Sequence, residues 1–274
     1  MPCKGPLRRY EPIVLLPKQN FTSYTRVMTQ ITSEVQNQVQ IIRFNRPEKM
    51  NALTRDMYGE LARLLNEAAG DFAIRAVVIS SVGDHFTAGN DIMDFMSNPP
   101  TAEDSTVALF LGAILNFPKP LIASVKGNAV GVGTTMLLHC DVVVASEDAA
   151  FSMPFTSLGL VPEAGSTLLF PALAGYQRAA KVFFTGEPFS ADFAQEIGLV
   201  AEVVTDSDSE AISIAEKIAQ QPPAAIINTK ALMKASKHDA VEAVMKAEFQ
   251  LFAMALESEE FADAAMKFMS KKGK

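Results

Sequence analysis

The stretch from Pro118 to Leu173 constrains this chain most. An apolar run, Leu121-Ile-Ala-Ser-Val125, leads into Gly127-Asn-Ala-Val-Gly-Val-Gly133, which opens onto Thr134-Thr-Met-Leu-Leu-His-Cys140. That order predicts a strand, a glycine turn and the start of a helix. A helix start leaves backbone N–H groups without intrahelical partners, and glycines let an oxygen carrying negative charge approach them. Further on, Leu158-Gly-Leu-Val-Pro-Glu-Ala-Gly165 sets one carboxyl among apolar neighbours. Donors for an oxyanion and a carboxyl that can move a proton together point to proton abstraction beside a carbonyl. Gly131-x-Gly133 lacks the third glycine of a dinucleotide fingerprint, and no phosphate-loop Lys-Ser/Thr follows it. A packing role, letting helix and strand approach closely, stands as the plain alternative.

Composition narrows the classes. With 274 residues the chain can bury a sizeable core, and 49% apolar with 20% charged residues is ordinary for a soluble globular protein. A net charge of −7 argues against a nucleic-acid surface, and the short tail Lys271-Lys-Gly-Lys274 is the one basic cluster. Cys3 and Cys140 are far apart, so neither a disulfide framework nor a cysteine zinc site is expected. His85 and His139 lack metal-ligand spacing and read as surface and core residues. No metal or cofactor is expected. No apolar run reaches membrane-spanning length. The C-terminus is not a Ser-Lys-Leu address, which leaves the cytoplasm as the expected location.

In chain order, Val39–Phe44 reads as a strand and Asn45-Arg-Pro47 breaks it. Thr54 starts a helix with Met57, Leu61, Leu64, Leu65 and Ala68 at helical spacing and Gly70 at its end. A buried strand at Ala76, a loop from Gly83 through Asp94, a helix from Val107 to Leu115, and strands at Leu121 and Asp141 follow. Helical signals dominate after Gly165, interrupted by a last strand from Gly198 to Val204. The expected divisions are an N-terminal extension over 1–27, an α/β core over 28–205 and a helical region over 206–274. The first stretch reads equally as a leader, an arm or an extended reading frame.

Four segments in order then carry a resemblance: Asn45-Arg-Pro-Glu-Lys-Met-Asn-Ala-Leu53, Phe86-Thr-Ala-Gly-Asn-Asp-Ile92, Lys119 through Gly133, and Phe151 through Gly165. The set resembles the crotonase (enoyl-CoA hydratase/isomerase) superfamily from about Thr29 to the end. The resemblance implies an α/β spiral of short β-β-α turns and a C-terminal helical trimerisation region. It also implies a homotrimer or a dimer of trimers. The implied partner is an acyl-CoA thioester, with coenzyme A as part of the substrate. Its carbonyl would sit between the backbone N–H groups of Asn90 and Val132. Such donors stabilise the developing enolate, and losing one costs ~10²–10³ in rate. The resemblance extends substrate contact to Lys49, Ala52, Ala88, Gly89, Asp91 and Ile92, and to Gly131, Phe155 and Leu158.

The acid/base residues decide the reaction. Hydratases of this family usually hold a water between two glutamates, and the matching positions here are Thr135 and Phe155. What remains is Glu163, at a place where peroxisomal-type Δ3-Δ2-enoyl-CoA isomerases carry glutamate. Moving a double bond from the 3,4 to the 2,3 position needs one base that takes a proton from C2 and returns it at C4. Glu163 is pulled two ways, because the helix start near Gly165 favours the carboxylate while apolar neighbours favour the neutral acid. Three readings stand side by side: a double-bond isomerase, another crotonase reaction such as hydration or thioester hydrolysis, and a non-catalytic acyl-CoA-binding scaffold.

Overall fold

The computed structural model describes residues 30–97, 99, 100, 102 and 104–271. The expected extension over 1–27, Cys3 and the last three tail residues lie outside the described residues.

The chain starts with a hairpin. Strands β1 (Ile31–Gln36) and β2 (Val39–Phe44) pair antiparallel, and the two residues between them, Asn37 and Gln38, take φ of 47° and 66°. Two residues with positive φ make the turn whose twist matches that of its flanking strands. Thr54 then caps α1 (Arg55–Gly70) by accepting the Met57 N–H, and the apolar stripe read from the sequence is buried. Next come β3 (Ala76–Ser81), α2 (Ile92–Ser97), α3 (Thr106–Leu115), β4 (Leu121–Val125), β5 (Asn128–Val130) and α4 (Val132–Thr135). They are followed by β6 (Val142–Ser146), β7 (Ala150–Ser152), α5 (Ser166–Ala174), α6 (Tyr176–Thr185), β8 (Phe189–Ser190), α7 (Ala191–Glu196) and β9 (Glu202–Val204). Four helices close the chain: α8 (Ser207–Ala219), α9 (Pro223–Ala235), α10 (His238–Leu256) and α11 (Glu259–Lys271).

The strands form a six-stranded sheet in the order β1-β2-β3-β4-β6-β9, parallel from β2 onward. A sheet covered on both faces needs continuous apolar strands rather than alternating ones, and every residue of β3 and β4 is buried. One face packs on α1 and α3 in the main core. The other packs Ile41, Val78, Ile122 and Val144 against Ala211, Ala215 and Ala219 of α8. A three-stranded sheet, β5-β7-β8, lies apart from it.

The two sheets explain the spiral. Each turn of chain supplies one strand to the large sheet, then a short extended segment, then a helix. In the earlier turns that segment is reduced to single bridges, Leu53 to Asn90 and Thr87 to Ala129; in the later ones it is β5 and β7. This is the expected crotonase-like α/β spiral with a helical C-terminal region. Asn128–Val130 forms a strand inside the expected glycine turn Gly127–Gly133, and β7 forms where the sequence carries no strand signal. Three residues are too short to display a period. The last strand is confined to Glu202–Val204, because Leu199 and Val200 instead close α7 through bonds to the Ala194 carbonyl.

The C-terminal helices are tied to the core by buried polar contacts. From α9, Lys230 donates to the Lys119 carbonyl and to Asp141, both at 2.7 Å, while Asp141 accepts the Leu121 N–H at 2.8 Å. The ring of Phe252 on α10 meets that of Phe95 on α2 edge-on at 6.0 Å. Among the described residues no helix is long and apolar enough to cross a membrane.

Candidate active site

Two chain segments run side by side through the Thr87–Ala129 bridge. Thr87 donates to the Asn128 carbonyl and accepts from Val130, both at 3.0 Å. Asn90 and Val132 lie equally far beyond that bridge, from 87 to 90 and from 129 to 132, and both line the same cavity. Gly89 and Asp91 flank Asn90 and both pair with Leu53, at 2.8 and 2.9 Å. A strand turns alternate N–H groups to opposite sides, and the Asn90 N–H meets no acceptor among the described residues. Val132 is the first residue of α4, where an N–H has no intrahelical partner, and it too is free there. Gly131 makes the turn possible with φ 57° and ψ −117°, which side-chain-bearing residues rarely adopt. Gly133 is required for a different reason. A Cβ there would lie 2.4 Å from Thr87 Cγ2, closing the gap between the two segments.

The carboxyl comes from the loop before α5. Ala164 and Gly165 both take left-handed conformations, φ 62° and 70°, and turn Glu163 inward until it is 8% exposed. His139 holds this turn through Nε2 and the Ala164 carbonyl at 2.7 Å. Burial lowers the His139 pKa to about 4, so the ring is neutral and carries its proton on Nε2. The Glu163 carboxyl is asymmetric: Oε1 accepts the Thr135 hydroxyl, while Oε2 is buried without a partner. Desolvation raises its pKa from 4.5 to about 8, against the Thr135 hydrogen bond and with help from the charge of Glu248. Of the two opposing influences seen in the sequence, burial wins. The helix start that could have favoured the anion is occupied by Glu248 instead, which accepts from Gly165 N and Thr167 N.

These groups share one cavity of about 300 Å³ between α1, α3 and α10. Asn90, Val132 and Glu163 line it together with Tyr58, Val107, Leu111, Met245, Phe249 and Phe252, and Asn116, Glu242 and Lys246 give it a polar side. Tyr58 donates its hydroxyl to Asn90 Oδ1, and burial followed by the Glu163 charge pushes its phenol well above the ordinary value. A largely apolar cavity lined by two residues with unpaired amides and by one carboxyl suits the formation of an enolate.

Residues 34–274 match the family described as Enoyl-CoA hydratase/isomerase. The chain belongs to that family. It is 36% identical over 242 residues to human Enoyl-CoA delta isomerase 2, covering 85% of this chain and 61% of that protein. The chain thus spans about three fifths of the length of that relative. It is 34% identical to the 2,3-dehydroadipyl-CoA hydratase of Escherichia coli K12, covering 89% of this chain and 97% of the relative. The crystal structure of an enoyl-CoA hydratase/isomerase from Pseudoalteromonas atlantica superimposes with a TM-score of 0.85 at 40% identity, over 89% of this chain and 98% of that one.

Against the family expectation, the residues read from the sequence divide into two groups. Asn90, Val132 and Glu163 come together in the cavity. Gly89 and Gly131 shape the backbone that carries the amides, and Ala88 donates to the Met50 carbonyl. Ala52 supplies a carbonyl to Arg46 at 3.0 Å, and Asp91 pairs with the same guanidinium at 2.6 Å while capping α2, which starts at Ile92. Lys49 is exposed, Phe155 is buried in the core beside Gly131, and Leu158 packs half-buried against that core. None of these lines the cavity. Among the described residues no cluster of three or more His, Cys, Asp or Glu side chains could hold a metal ion. Sequence reading missed Tyr58, Thr135 as a donor, and Glu248. For Tyr58 the signal was present: a tyrosine on the apolar stripe of α1 must bury its hydroxyl against some acceptor.

Proposed function

We propose that the protein converts 3-enoyl-CoA to trans-2-enoyl-CoA, with Glu163 as the single proton shuttle. The thioester oxygen sits between the Asn90 and Val132 amides. Glu163, as the carboxylate, takes a proton from C2 through its unpartnered Oε2, and the electron pair moves into an enolate conjugated with the 3,4 double bond. The amides stabilise that charge as it develops. Glu163 then returns the same proton at C4, the double bond settles between C2 and C3, and no water is consumed.

The observation that carries this reading is the Glu163 carboxyl itself. Thr135 anchors one oxygen, and the other lies buried and free in the cavity that holds both unpaired amides. A pKa of about 8 makes it a base strong enough to matter near neutrality. Hydration is the second reading, favoured by the hydratase relative. It needs a second acid to hold water, and the places where hydratases carry glutamates are filled by Thr135 and Phe155. Assembly as a homotrimer or a dimer of trimers through residues 206–274, and a cytoplasmic location, belong to the same proposal.

The test compares turnover of a 3-enoyl-CoA with hydration of crotonyl-CoA, for the wild type and Glu163→Gln. Isomerisation should dominate and should fail in the variant. Equal isomerisation rates for the two proteins would remove Glu163 from the mechanism. Binding of acyl-CoA without turnover of any enoyl thioester would leave a scaffold.

A further inference from the structure

We propose that Glu248, on the C-terminal helix α10, is a positioning residue for Glu163: its carboxylate clamps the start of α5, fixes the turn that aims Glu163 into the cavity, and keeps a negative charge near it. The inference rests on the isomerase reading and adds a residue to it.

Glu248 stands 85 positions from Glu163 in the numbering and on a separate helix, yet the two are joined through Ala164 and Gly165. Its carboxylate is 4% exposed, and both oxygens are engaged. Oε2 accepts the Gly165 N–H at 2.6 Å, while Oε1 accepts the Thr167 N–H at 2.9 Å and the Thr167 hydroxyl at 2.6 Å. These are the amide of the residue just before α5 and the amide of its second residue, so the carboxylate acts as a helix cap delivered from a distant element. An ordinary N-cap would come from the residue before the helix. That residue is Gly165, which has no side chain and holds φ 70°. α10 also crowds the turn, because a Cβ at Gly165 would lie 2.9 Å from Val241 Cγ1 and 3.3 Å from Met245 Cγ. The left-handed pair Ala164–Gly165 is thus held from two sides, by His139 on one carbonyl and by Glu248 on the amides that follow. Without Glu248 the turn keeps the His139 contact and the Ser166 N–H bond to the Glu163 carbonyl but loses its grip on the Gly165 and Thr167 amides, which would loosen the aim of Glu163.

The charge matters as well as the hydrogen bonds. The groups around Glu163 are the Tyr58 hydroxyl of α1, the Thr135 hydroxyl, the neutral His139 and Glu248. The exposed Glu242 and Lys246, on α10, line the same cavity. Among the buried groups of that set, Glu248 is the one that bears a charge when held as a carboxylate, and it opposes ionisation of Glu163.

The experiment uses the full chain and measures kcat/KM for a 3-enoyl-CoA against pH in the wild type, Glu248→Gln, Glu248→Asp and Glu163→Gln. Glu248→Gln should lower the plateau by about tenfold or more through misplacement. It should also move the acid limb to lower pH by about one unit, as expected for removing one charge at an effective dielectric constant of about 20. Glu248→Asp keeps the charge but shortens the reach, so its plateau should fall while the acid limb stays with the wild type. An infrared titration of the Glu163 carboxyl in the resting protein should show the same two directions without turnover. A wild-type plateau in either variant, or two lowered plateaus with unmoved limbs, would overturn the proposal and leave Glu248 as a plain helix cap. If Glu248→Gln does not fold, Glu248→Asp and its infrared titration carry the test alone. Full activity in Glu163→Gln would instead overturn the isomerase reading itself, a separate result.

Discussion

Glu163 and Glu248 are both buried carboxyls, 8% and 4% exposed, and they lie at opposite ends of the same short turn. Their surroundings differ in one respect. Glu248 receives two backbone amides and a hydroxyl, so both its oxygens are satisfied and its negative charge faces the start of a helix. Glu163 receives one hydroxyl, from Thr135, and its other oxygen has no donor. Burial raises both pKa values, but three hydrogen bonds oppose that rise at Glu248 and one opposes it at Glu163. A carboxyl saturated with donors holds structure, while one left half-satisfied and buried at a largely apolar cavity is available for chemistry.

If this division is right, the two residues should fail differently. The largest expected effect is on rate: Glu163→Gln should lower kcat for 3-enoyl-CoA by about 10²–10⁴ with the melting temperature preserved or raised. Glu248→Ala should show the opposite emphasis, losing about 1–3 kcal/mol of stability in a denaturant titration because the buried Gly165 N–H and the part-buried Thr167 N–H lose their acceptor. Equal stability losses at the two sites would erase the distinction.

A finer contrast lies in the pH dependence of stability. The Glu163 pKa is raised on folding, from 4.5 to about 8, so across that window the folded state binds a proton that the unfolded state has released. Its contribution is complete below 4.5 and is lost as pH rises to about 8, on the order of a few kcal/mol in all. Glu163→Gln removes this loss, and its stability advantage over the wild type should therefore grow between pH 5 and pH 8. A constant difference would mean that the carboxyl is not desolvated. The smallest effect should come from Thr135→Val. Removing the one donor to Glu163 raises its pKa further, which should lower kcat/KM at pH 7 by about tenfold and move the acid limb upward.

Much of this was legible in the sequence for physical reasons. Buried parallel strands such as β3 and β4 carry near-continuous apolar runs, broken only by small serines, and α1 must carry an apolar stripe between a cap and a stop, so both announce themselves. The glycines at 131 and 133 marked the amides because 131 takes a backbone conformation that side-chain-bearing residues rarely adopt and a Cβ at 133 would crowd Thr87. The strands β5 and β7 were not legible, since three residues show no period and their pairing is distant. Glu248 was hidden for the same kind of reason. On the surface pattern of α10 it is one more glutamate, and only the packing of α10 over α5 turns it toward Gly165 and Thr167. Asp91, beside Asn90, pairs with Arg46 and caps the start of α2, contacts that its place in the sequence does not display.

The most direct test of the central claim, that one carboxyl carries one proton between two carbons, follows the hydrogen itself. A 3-enoyl-CoA carrying deuterium at C2 should yield a 2-enoyl product with label at C4 in a measurable fraction of turnovers. Glu163→Gln should lose both the transfer and the turnover. A C4 hydrogen drawn wholly from solvent, together with unchanged turnover in Glu163→Gln, would contradict the account.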